Sequence, residues 1–229
     1  MNIVAVIQAR MGSSRLPCKA LLYMHGLPLI DWVVHRLGKS RLLHSLVVAI
    51  PDAPLDDVLA FHLENQGVPV FRGPEQDVLK RFSLAAGHCE ATHGIRGCAD
   101  NPLIWGGEID NLIRHYLEQK TDAGLYAYNH MPKDNAYPDG LGAEMVSAEV
   151  LHTLDRKACL PAHREHCLSY IWDNPQEFRI STFDPPDPRL HHPEMRLDVD
   201  TADDFRKLSL MAIHPDMAPP ELLLRYPRQ

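Results

Sequence analysis

The chain opens with short apolar runs that alternate with longer segments in which apolar residues recur at helical spacing. Residues 2–7 are nearly continuous in Ile, Val and Ala, which is typical of a strand buried on both faces. Residues 28–39 carry Pro28 near their start and an apolar face, so they are predicted to form a helix. The same pattern predicts strands at residues 46–50, 68–71 and 94–98, and helices at residues 56–65, 77–90 and 108–119.

This repeated order of strand and helix predicts the fold class. Strands joined through helices form a mostly parallel sheet, which the helices cover on both faces. Because crossovers between parallel strands are right-handed, the layers become doubly wound. The prediction is therefore an α/β protein of Rossmann-like type.

The pattern becomes less regular after residue 123. Residues 130–141 are rich in Pro, Asp, Asn and Gly and are predicted to form an irregular loop, as are residues 184–193. Thr201 is in position to cap a helix over residues 202–211. Further strands are predicted at residues 124–128, 143–147, 178–183 and 195–199, and further helices at residues 149–155 and 162–173. Residues 214–229 hold four prolines and are predicted to be a C-terminal tail.

Charge is distributed unevenly along the 229 residues. The chain carries a net charge of -7, yet its first thirty residues contain Arg10, Arg15 and Lys19 and no Asp or Glu. An acidic protein is poorly suited to general binding of duplex nucleic acid, which requires a basic face. The basic start therefore needs a local explanation.

Other sequence features predict a cytoplasmic, non-membrane protein. The apolar segment at residues 3–7 is too short for a signal sequence, and no segment approaches the roughly 20 apolar residues that span a bilayer. The five cysteines form an odd set without C-x-x-C spacing, so neither a disulfide framework nor a cysteine-rich zinc site is predicted.

The segment after the first strand, QARMGSSRLPCK, has a composition suited to a polyphosphate. Loops after parallel strands lie at the sheet edge where ligands bind. Gly12 permits close backbone approach, and Ser13 and Ser14 offer hydrogen-bond donors. Neither the P-loop pattern nor the dinucleotide pattern G-x-G-x-x-G is present. The alternative interpretation is a solvated basic turn.

These motifs resemble a known family. IQARMGSSRLPCK is similar to the opening motif of nucleotidyltransferases of the spore-coat polysaccharide biosynthesis protein F type, which are relatives of the CMP-KDO and CMP-sialate synthetases. The resemblance continues through VPVFRGPEQDVLKRF at residues 68–82, the segment 96–104, YPDGL at 137–141, REH at 164–166 and RLDVDTADDF at 196–205. It implies the nucleotide-diphospho-sugar transferase type of fold and covers the chain up to about residue 211.

Two carboxylates near the end of the chain are candidates for a metal site. Asp198 and Asp200 lie on one face of the predicted strand, about 7 Å apart, and Mg²⁺ is often held by one or two carboxylates together with substrate phosphates. The alternative is that Asp198 pairs with Arg196. The resemblance implies that this D-x-D pair and Asp100 are the metal ligands.

The resemblance also implies roles for other residues. Catalytic roles fall to Arg10, Arg15, Lys19 and Asp100. The nucleotide-binding set is Gln8, Ala9, Arg10, Gly12, Ser13, Ser14, Arg15, Lys19, Arg72, Asp77 and Asp100. The acceptor-binding set is Tyr137, Asp139, Glu144, Arg164 and His166, although REH is equally well explained as the polar side of an amphipathic helix.

The implied enzyme is a Mg²⁺-dependent cytidylyltransferase, with a homodimer as a possible assembly. It would transfer CMP from CTP to a sugar acid for surface polysaccharide biosynthesis. The alternatives are another nucleoside triphosphate, a phosphorylated or phosphonate acceptor, or an inactive nucleotide-binding protein. Residues 1–213 form the predicted catalytic domain, with a nucleotide-binding part at 1–122, an acceptor-binding part at 123–213 and the tail at 214–229.

Three positions depart from the family pattern. Cys18 precedes Lys19 where Gly is usual, and Ala99 precedes Asp100 where Gly is usual. Gly142 follows YPDGL where an acidic residue is usual. None of these departures removes a charge from the predicted site.

Overall fold

Parallel strands dominate the sheet of the computed structural model, which describes residues 1–119, 121 and 123–227. The strands are β1 (Ile3–Gln8), β2 (Tyr23–Met24), β3 (Leu27–Pro28), β4 (Ser45–Pro51), β5 (Val70–Gly73), β6 (His93–Cys98), β7 (Leu125–Tyr128), β8 (Glu144–Ser147) and β9 (Arg179–Ser181). Seven of them form one sheet in the order β5-β4-β1-β6-β8-β7-β9, while β2 and β3 pair separately. Within the sheet only β8 runs antiparallel to its neighbours, so the predicted mostly parallel sheet is confirmed.

Helices cover both faces of this sheet. They are α1 (Leu29–Leu37), α2 (Asp57–Asn65), α3 (Val78–His88), α4 (Gly106–Leu117), α5 (Ala148–Lys157), α6 (Pro161–Glu165), α7 (Ser169–Asp173), α8 (Ala202–Ser209) and α9 (Pro219–Leu223). Alternate residues of β1 pack into two different clusters, one with α1, α2 and α4 and the other with α3, α5 and α7. All six residues of β1 are therefore buried, which explains its continuous apolar sequence.

A third apolar cluster lies beside the sheet and includes part of the C-terminal segment. Met217, Leu222 and Leu223 are buried in it. Arg36 of α1, which is fully buried, donates to the carbonyl oxygens of Pro215 and Met217 and to those of residues 103 and 104. Residues 215–223 thus pack onto the α/β unit.

Two predicted elements differ from the structure. Residues 195–199 do not form a ladder strand, because their pairing is a single bridge between Arg196 and Asp139 of the preceding loop. The helix predicted at 162–173 is divided into α6 and α7, since His166 leaves the helical conformation with φ -95° and ψ 70°. The predicted boundary at residue 122 lies outside the described residues.

The described part of the chain contains no helix that is both long enough and apolar enough to cross a membrane. The five cysteines are all free thiols, as the odd number and irregular spacing predicted.

Candidate active site

A buried carboxylate fixes the start of the loop that follows β1. Asp56, which is 2% exposed, accepts a hydrogen bond from the backbone N–H of Met11 at 2.8 Å. Burial raises the pKa of Asp56, while that backbone hydrogen bond lowers it. The N–H of Cys18 closes the loop by donating to the carbonyl oxygen of Met11 at 3.0 Å. Residues 12–17 are therefore presented as a closed loop at the carboxyl end of β1.

Cys18 occupies a left-handed backbone conformation, with φ 58° and ψ 19°. This region favours glycine, because a side chain there crowds the following carbonyl group. The family's usual Gly is thus explained, and this chain tolerates a strained Cys instead. The turn starts a short 3-10 helix, Lys19–Leu21, which directs Lys19 back towards the sheet edge.

Lys19 joins two carboxylates that approach from different segments. Its Nζ lies 3.0 Å from Oδ2 of Asp100, 3.3 Å from Oδ1 of Asp200 and 3.1 Å from the carbonyl oxygen of Val199. Asp100 follows β6, and its carbonyl oxygen accepts a hydrogen bond from Val199 N–H at 2.7 Å. Arg15 reaches Asp200 as well, at 2.9 Å. Two of the predicted bases, Arg15 and Lys19, therefore meet two of the predicted acids, Asp100 and Asp200, at one place.

This meeting point lies in a cleft across the carboxyl ends of β1 and β6. Ten of the predicted site residues line it: Gln8, Ala9, Arg10, Ser13, Ser14, Arg15, Lys19, Asp100, His166 and Asp200. Gly12 is exposed beside the cleft, and a Cβ there would meet only Leu55 at 3.7 Å. Among the described residues, no contact requires glycine at that position.

Two arginines in the cleft wall were not assigned a role by the sequence. Arg81 of α3 is 2% exposed and donates to the carbonyl oxygens of Pro74 and Glu75, while its Nε has no partner among the described residues. Burial lowers the pKa of Arg81, and the nearby positive charge of Arg10 lowers it further. Arg96 of β6 donates from Nε to Gln8 at 3.1 Å and from Nη1 to Glu144.

A sequence signal for Arg96 does exist. It is a charged residue inside a strand predicted to be buried, and such a residue requires a partner. Glu144 begins the neighbouring strand β8 and lies directly opposite Arg96 in the ladder. Recognising that pair from sequence requires knowledge that β6 and β8 are adjacent.

Three predicted nucleotide or acceptor residues form ion pairs outside this cleft. Arg164 donates to both carboxylate oxygens of Asp77, at 2.9 and 2.7 Å, and to Asp155 at 2.8 Å. Asp77 also caps α3 by accepting from Lys80 N–H. Arg72 pairs with Asp57 at 2.7 Å on the surface. These contacts occupy the charged groups of Arg164, Asp77 and Arg72 within the protein.

Tyr137 and Gly142 are packed against other residues of the protein and do not face the cleft. Tyr137 is completely buried, and its hydroxyl donates to Glu108 at 2.7 Å, so it does not reach the cleft. A Cβ at Gly142 would lie 2.1 Å from Oδ1 of Asn129. Any side chain at residue 142, including the family's usual acid, would therefore displace Asn129.

Asp139 lies beside Asp198, away from the cleft wall. Burial raises the pKa of Asp139 to about 6, and the negative charge of Asp198 adds to this effect. The backbone around Asp139 is tied to residues 195–197 by hydrogen bonds to Met195 and Leu197.

The donor set suits a divalent cation at two of the three predicted acids. Asp100 and Asp200 both face the cleft, and carboxylate oxygens are the ligands that Mg²⁺ prefers. Asp198 binds Arg196 through both oxygens, at 2.6 and 2.8 Å, whereas Asp200 accepts from Arg196 at one oxygen, at 3.0 Å. No group of three or more His, Cys, Asp or Glu within the described ranges is arranged to hold a metal ion without further ligands. A cation here would need oxygen atoms from a substrate.

A second cavity adjoins the cleft, and we call it the side cavity. It is lined by Arg96, His130, Met131, Lys133, Glu144, His166, Leu168, Ser169 and Trp172. It shares Arg96 and His166 with the cleft. Of the predicted acceptor residues, Glu144 and His166 line it. Burial lowers the pKa of His130, which favours the neutral imidazole.

Cys98 also lines the cleft, but its surroundings do not favour a nucleophile. Burial raises its pKa to about 12, so the thiol remains protonated near neutral pH.

Comparisons with known proteins agree on one type of enzyme. The sequence model of the cytidylyltransferase family matches residues 4–216. The spore coat polysaccharide biosynthesis protein SpsF of Bacillus subtilis is 33% identical over 97% of this chain and 92% of its own length. The 3-deoxy-manno-octulosonate cytidylyltransferase of Bdellovibrio bacteriovorus is 32% identical, over 56% of this chain and 51% of its own. A cytidylyltransferase structure from Leptospira borgpetersenii superposes with a TM-score of 0.87 at 27% identity, covering 98% of this chain and 93% of the other.

Proposed function

The chain belongs to the cytidylyltransferase family, and on that premise we propose that it transfers CMP from CTP to a sugar acid for surface polysaccharide biosynthesis. In this reaction an acceptor hydroxyl oxygen bonds to the α-phosphorus of CTP. The bond from that phosphorus to the pyrophosphate oxygen breaks, pyrophosphate leaves, and the hydroxyl proton passes to solvent. The observation that carries the proposal is the single cleft in which the basic loop meets Asp100 and Asp200.

The proposed work of the loop is to bind and align the triphosphate. Arg10 and Arg15 have exposed side chains, and their nearest carboxylates, Glu165 at 3.9 Å and Asp200 at 2.9 Å, leave guanidinium groups open to the cleft. Lys19 adds a point charge, and Ser13 and Ser14 add hydroxyl groups. Such positioning and neutralisation supply most of the catalysis in phosphate-transfer reactions.

We further propose Mg²⁺ as the cofactor, held by Asp100 and Asp200. A bound divalent cation would offset the charge that develops on the transferring and leaving phosphate oxygens. Asp198 remains a predicted third ligand, and its use would require the pair with Arg196 to open. Lys19 occupies the space between Asp100 and Asp200 in the structure and would move towards phosphate when substrate binds.

The sugar-acid acceptor is proposed from the relatives. One is a cytidylyltransferase for 3-deoxy-manno-octulosonate, which is a sugar acid, and another is a protein of spore coat polysaccharide biosynthesis. Both point to an acceptor that enters a surface polysaccharide.

The test is pyrophosphate release by the purified chain with each of the four common nucleoside triphosphates, Mg²⁺ and a panel of sugar acids. We expect release only when CTP, a divalent cation and a sugar acid are all present. Lys19→Met should raise the KM for CTP by about 100-fold, since a charge-assisted phosphate contact is lost. Lys39→Met removes an exposed lysine that pairs with Asp216 and should leave the KM for CTP unchanged. Equal release with another nucleotide, or none with CTP and every acceptor, would contradict the proposal.

A further inference from the structure

We propose that the side cavity binds the acceptor, and that Arg96 and Lys133 hold an anionic group of that acceptor beside the nucleotide cleft. This inference rests on the proposed function for the identity of the reaction. It assigns the acceptor to residues that the sequence motifs did not indicate, since Tyr137 and Arg164 are occupied elsewhere.

The position of the cavity is the first argument. Arg96 and His166 line both the cleft and the side cavity, so the two spaces meet at these residues. A hydroxyl group of a molecule in the side cavity is therefore next to a phosphate in the cleft. In-line transfer requires this adjacency of acceptor and donor.

Arg96 has one donor group left for a ligand. Its Nε binds Gln8 and its Nη1 binds the buried Glu144, which fixes the guanidinium plane. Its Nη2 makes no hydrogen bond within the described part of the chain. A guanidinium held in this way presents a pre-oriented N–H group at the junction of the two spaces, and such groups recognise carboxylate or phosphate oxygens.

Lys133 supplies a second positive charge. Its Nζ lies 3.8 Å from the centroid of the Trp172 ring, and no carboxylate of the described residues forms an ion pair with it. A cation near an aromatic face is stabilised only weakly where solvent has access. The ammonium group is thus available to an anionic ligand, and its movement would uncover the Trp172 ring for the apolar face of a sugar.

A further argument comes from two polar atoms in the wall of the side cavity that have no hydrogen-bond partner in the described ranges. The Nδ1 atom of His130 and the hydroxyl of Ser169 are buried without a hydrogen-bond partner among the described residues. Buried polar atoms normally have partners, so these two positions call for partner atoms from outside the chain. Sugar hydroxyls both donate and accept, and they match an imidazole nitrogen and a serine hydroxyl.

The test compares two lysines that have the same kind of neighbour. Lys133→Gln removes the proposed acceptor contact, whereas Lys207→Gln removes a lysine that lies 4.0 Å from the Tyr226 ring and does not line the cavity. We expect Lys133→Gln to raise the KM for the sugar acid by about tenfold, with the KM for CTP unchanged. Ser169→Ala should raise the acceptor KM less, and Lys207→Gln should change neither constant.

Arg96 needs a paired design, because Arg96→Gln alone would leave Glu144 buried without its cation. The double variant Arg96→Gln with Glu144→Gln removes both charges together. It should weaken acceptor binding at least as much as Lys133→Gln, while urea unfolding reports whether the fold is retained. Unchanged acceptor KM in a folded double variant and in Lys133→Gln would overturn the inference.

Direct binding separates this inference from the proposed reaction. Saturation-transfer NMR with 3-deoxy-manno-octulosonate, and separately with a hexose phosphate, measures occupancy without turnover. Loss of the sugar-acid signal in Lys133→Gln supports the cavity assignment even if CTP yields no pyrophosphate. If only the hexose phosphate gives a signal that depends on Lys133, the cavity binds anions as proposed, but the acceptor is a sugar phosphate and not a sugar acid. Equal signals from wild type and Lys133→Gln with both probes would overturn the assignment.

Discussion

Two clusters in which one cation pairs with two carboxylates can be compared directly: Lys19 with Asp100 and Asp200, and Arg164 with Asp77 and Asp155. Burial does not distinguish them, since the Lys19 side chain is 13% exposed and that of Arg164 is 18% exposed. Their place in the fold does. The Lys19 cluster joins the loop after β1 to the residue after β6, whereas the Arg164 cluster joins α3, α5 and α6 at the flank.

This difference is the basis for proposing a catalytic role for the Lys19 cluster and a structural role for the Arg164 cluster. Ligands of open α/β sheets bind beyond the carboxyl ends of the strands, and of these two clusters only that of Lys19 lines the cleft at the ends of β1 and β6. The planar guanidinium of Arg164 is bound at Nε, Nη1 and Nη2 by groups of the protein. Lys19 is a flexible point charge, so a phosphate can draw it away from its carboxylates.

The largest expected effect comes from neutralising one acid in each cluster. Asp100→Asn should lower kcat/KM for CMP transfer by on the order of 10²–10³-fold, because it removes a proposed metal ligand. Its free energy of unfolding should change by less than about 1 kcal/mol, since the Asp100 side chain is 31% exposed, compared with 16% for Asp155. Steady-state pyrophosphate release and urea unfolding measure the two quantities.

Asp155→Asn is the matched control in the Arg164 cluster. It should leave kcat/KM within about threefold of wild type and lower the free energy of unfolding by about 1–2 kcal/mol. The assignment of different roles to the two clusters would be wrong if Asp155→Asn abolished CMP transfer or if Asp100→Asn retained it.

A second comparison lies within the D-x-D pair. Asp200 faces the cleft and accepts from Arg196 at one oxygen only, while both oxygens of Asp198 bind Arg196. Asp200→Asn should therefore reduce kcat/KM by about 100-fold, and Asp198→Asn by less than about tenfold. Titration with Mg²⁺ should show a raised metal requirement only for Asp200→Asn. Equal losses in the two variants would show that Asp198 also serves as a ligand.

Removing the cation of the Arg164 cluster should lower the stability of the protein and leave acceptor binding unchanged. Arg164→Gln leaves Asp77 without its bidentate partner, and we expect the free energy of unfolding to fall by about 2 kcal/mol. The acceptor KM should be unchanged. Lys157→Gln, which breaks an exposed pair with Glu177, should leave the free energy of unfolding unchanged within error. A rise in acceptor KM for Arg164→Gln would return this arginine to the acceptor site.

The smallest expected effect concerns the strained turn before Lys19. Cys18→Gly should relieve the left-handed strain and raise the free energy of unfolding by about 0.5–1 kcal/mol. Activity should stay the same, because the left-handed turn that directs Lys19 is kept. The control is Glu90→Gly, which also replaces a residue with positive φ, 52°, but lies outside the cleft. It should raise the free energy of unfolding by a similar amount. A loss of CTP affinity in Cys18→Gly alone would show that the Cys18 side chain positions the loop.

The layered fold was predictable because its signals are local. β1 is buried on both faces, and its continuous apolar sequence reports this directly. The segment 195–199 was predicted as a strand because apolar residues alternate there as well. Leu197 and Val199 do point inwards, but the segment follows the loop at Asp139 and does not join the sheet. Alternation reports burial of one side of a chain and does not report a ladder partner.

The candidate site was predictable where residues follow strand ends in sequence. Lys19 and Asp100 come after β1 and β6, and they meet in the structure with Asp200, which follows the segment 195–199 that was predicted to be a strand. Arg164 and Tyr137 were proposed for the acceptor by resemblance, and their partners, Asp77 and Glu108, are distant in sequence. Long-range pairing of this kind depends on which helices become neighbours, and no local pattern encodes it.

The most direct test of the central claim follows the α-phosphate of CTP. CTP labelled at the α-phosphorus is incubated with the chain, Mg²⁺ and a sugar acid, and the products are separated. The account predicts that the label appears in a CMP-sugar in amounts equal to the pyrophosphate released, and that Asp100→Asn slows the formation of both by on the order of 10²–10³-fold. Label that remains in CTP, or that appears only in free CMP whether or not a sugar acid is present, would contradict it.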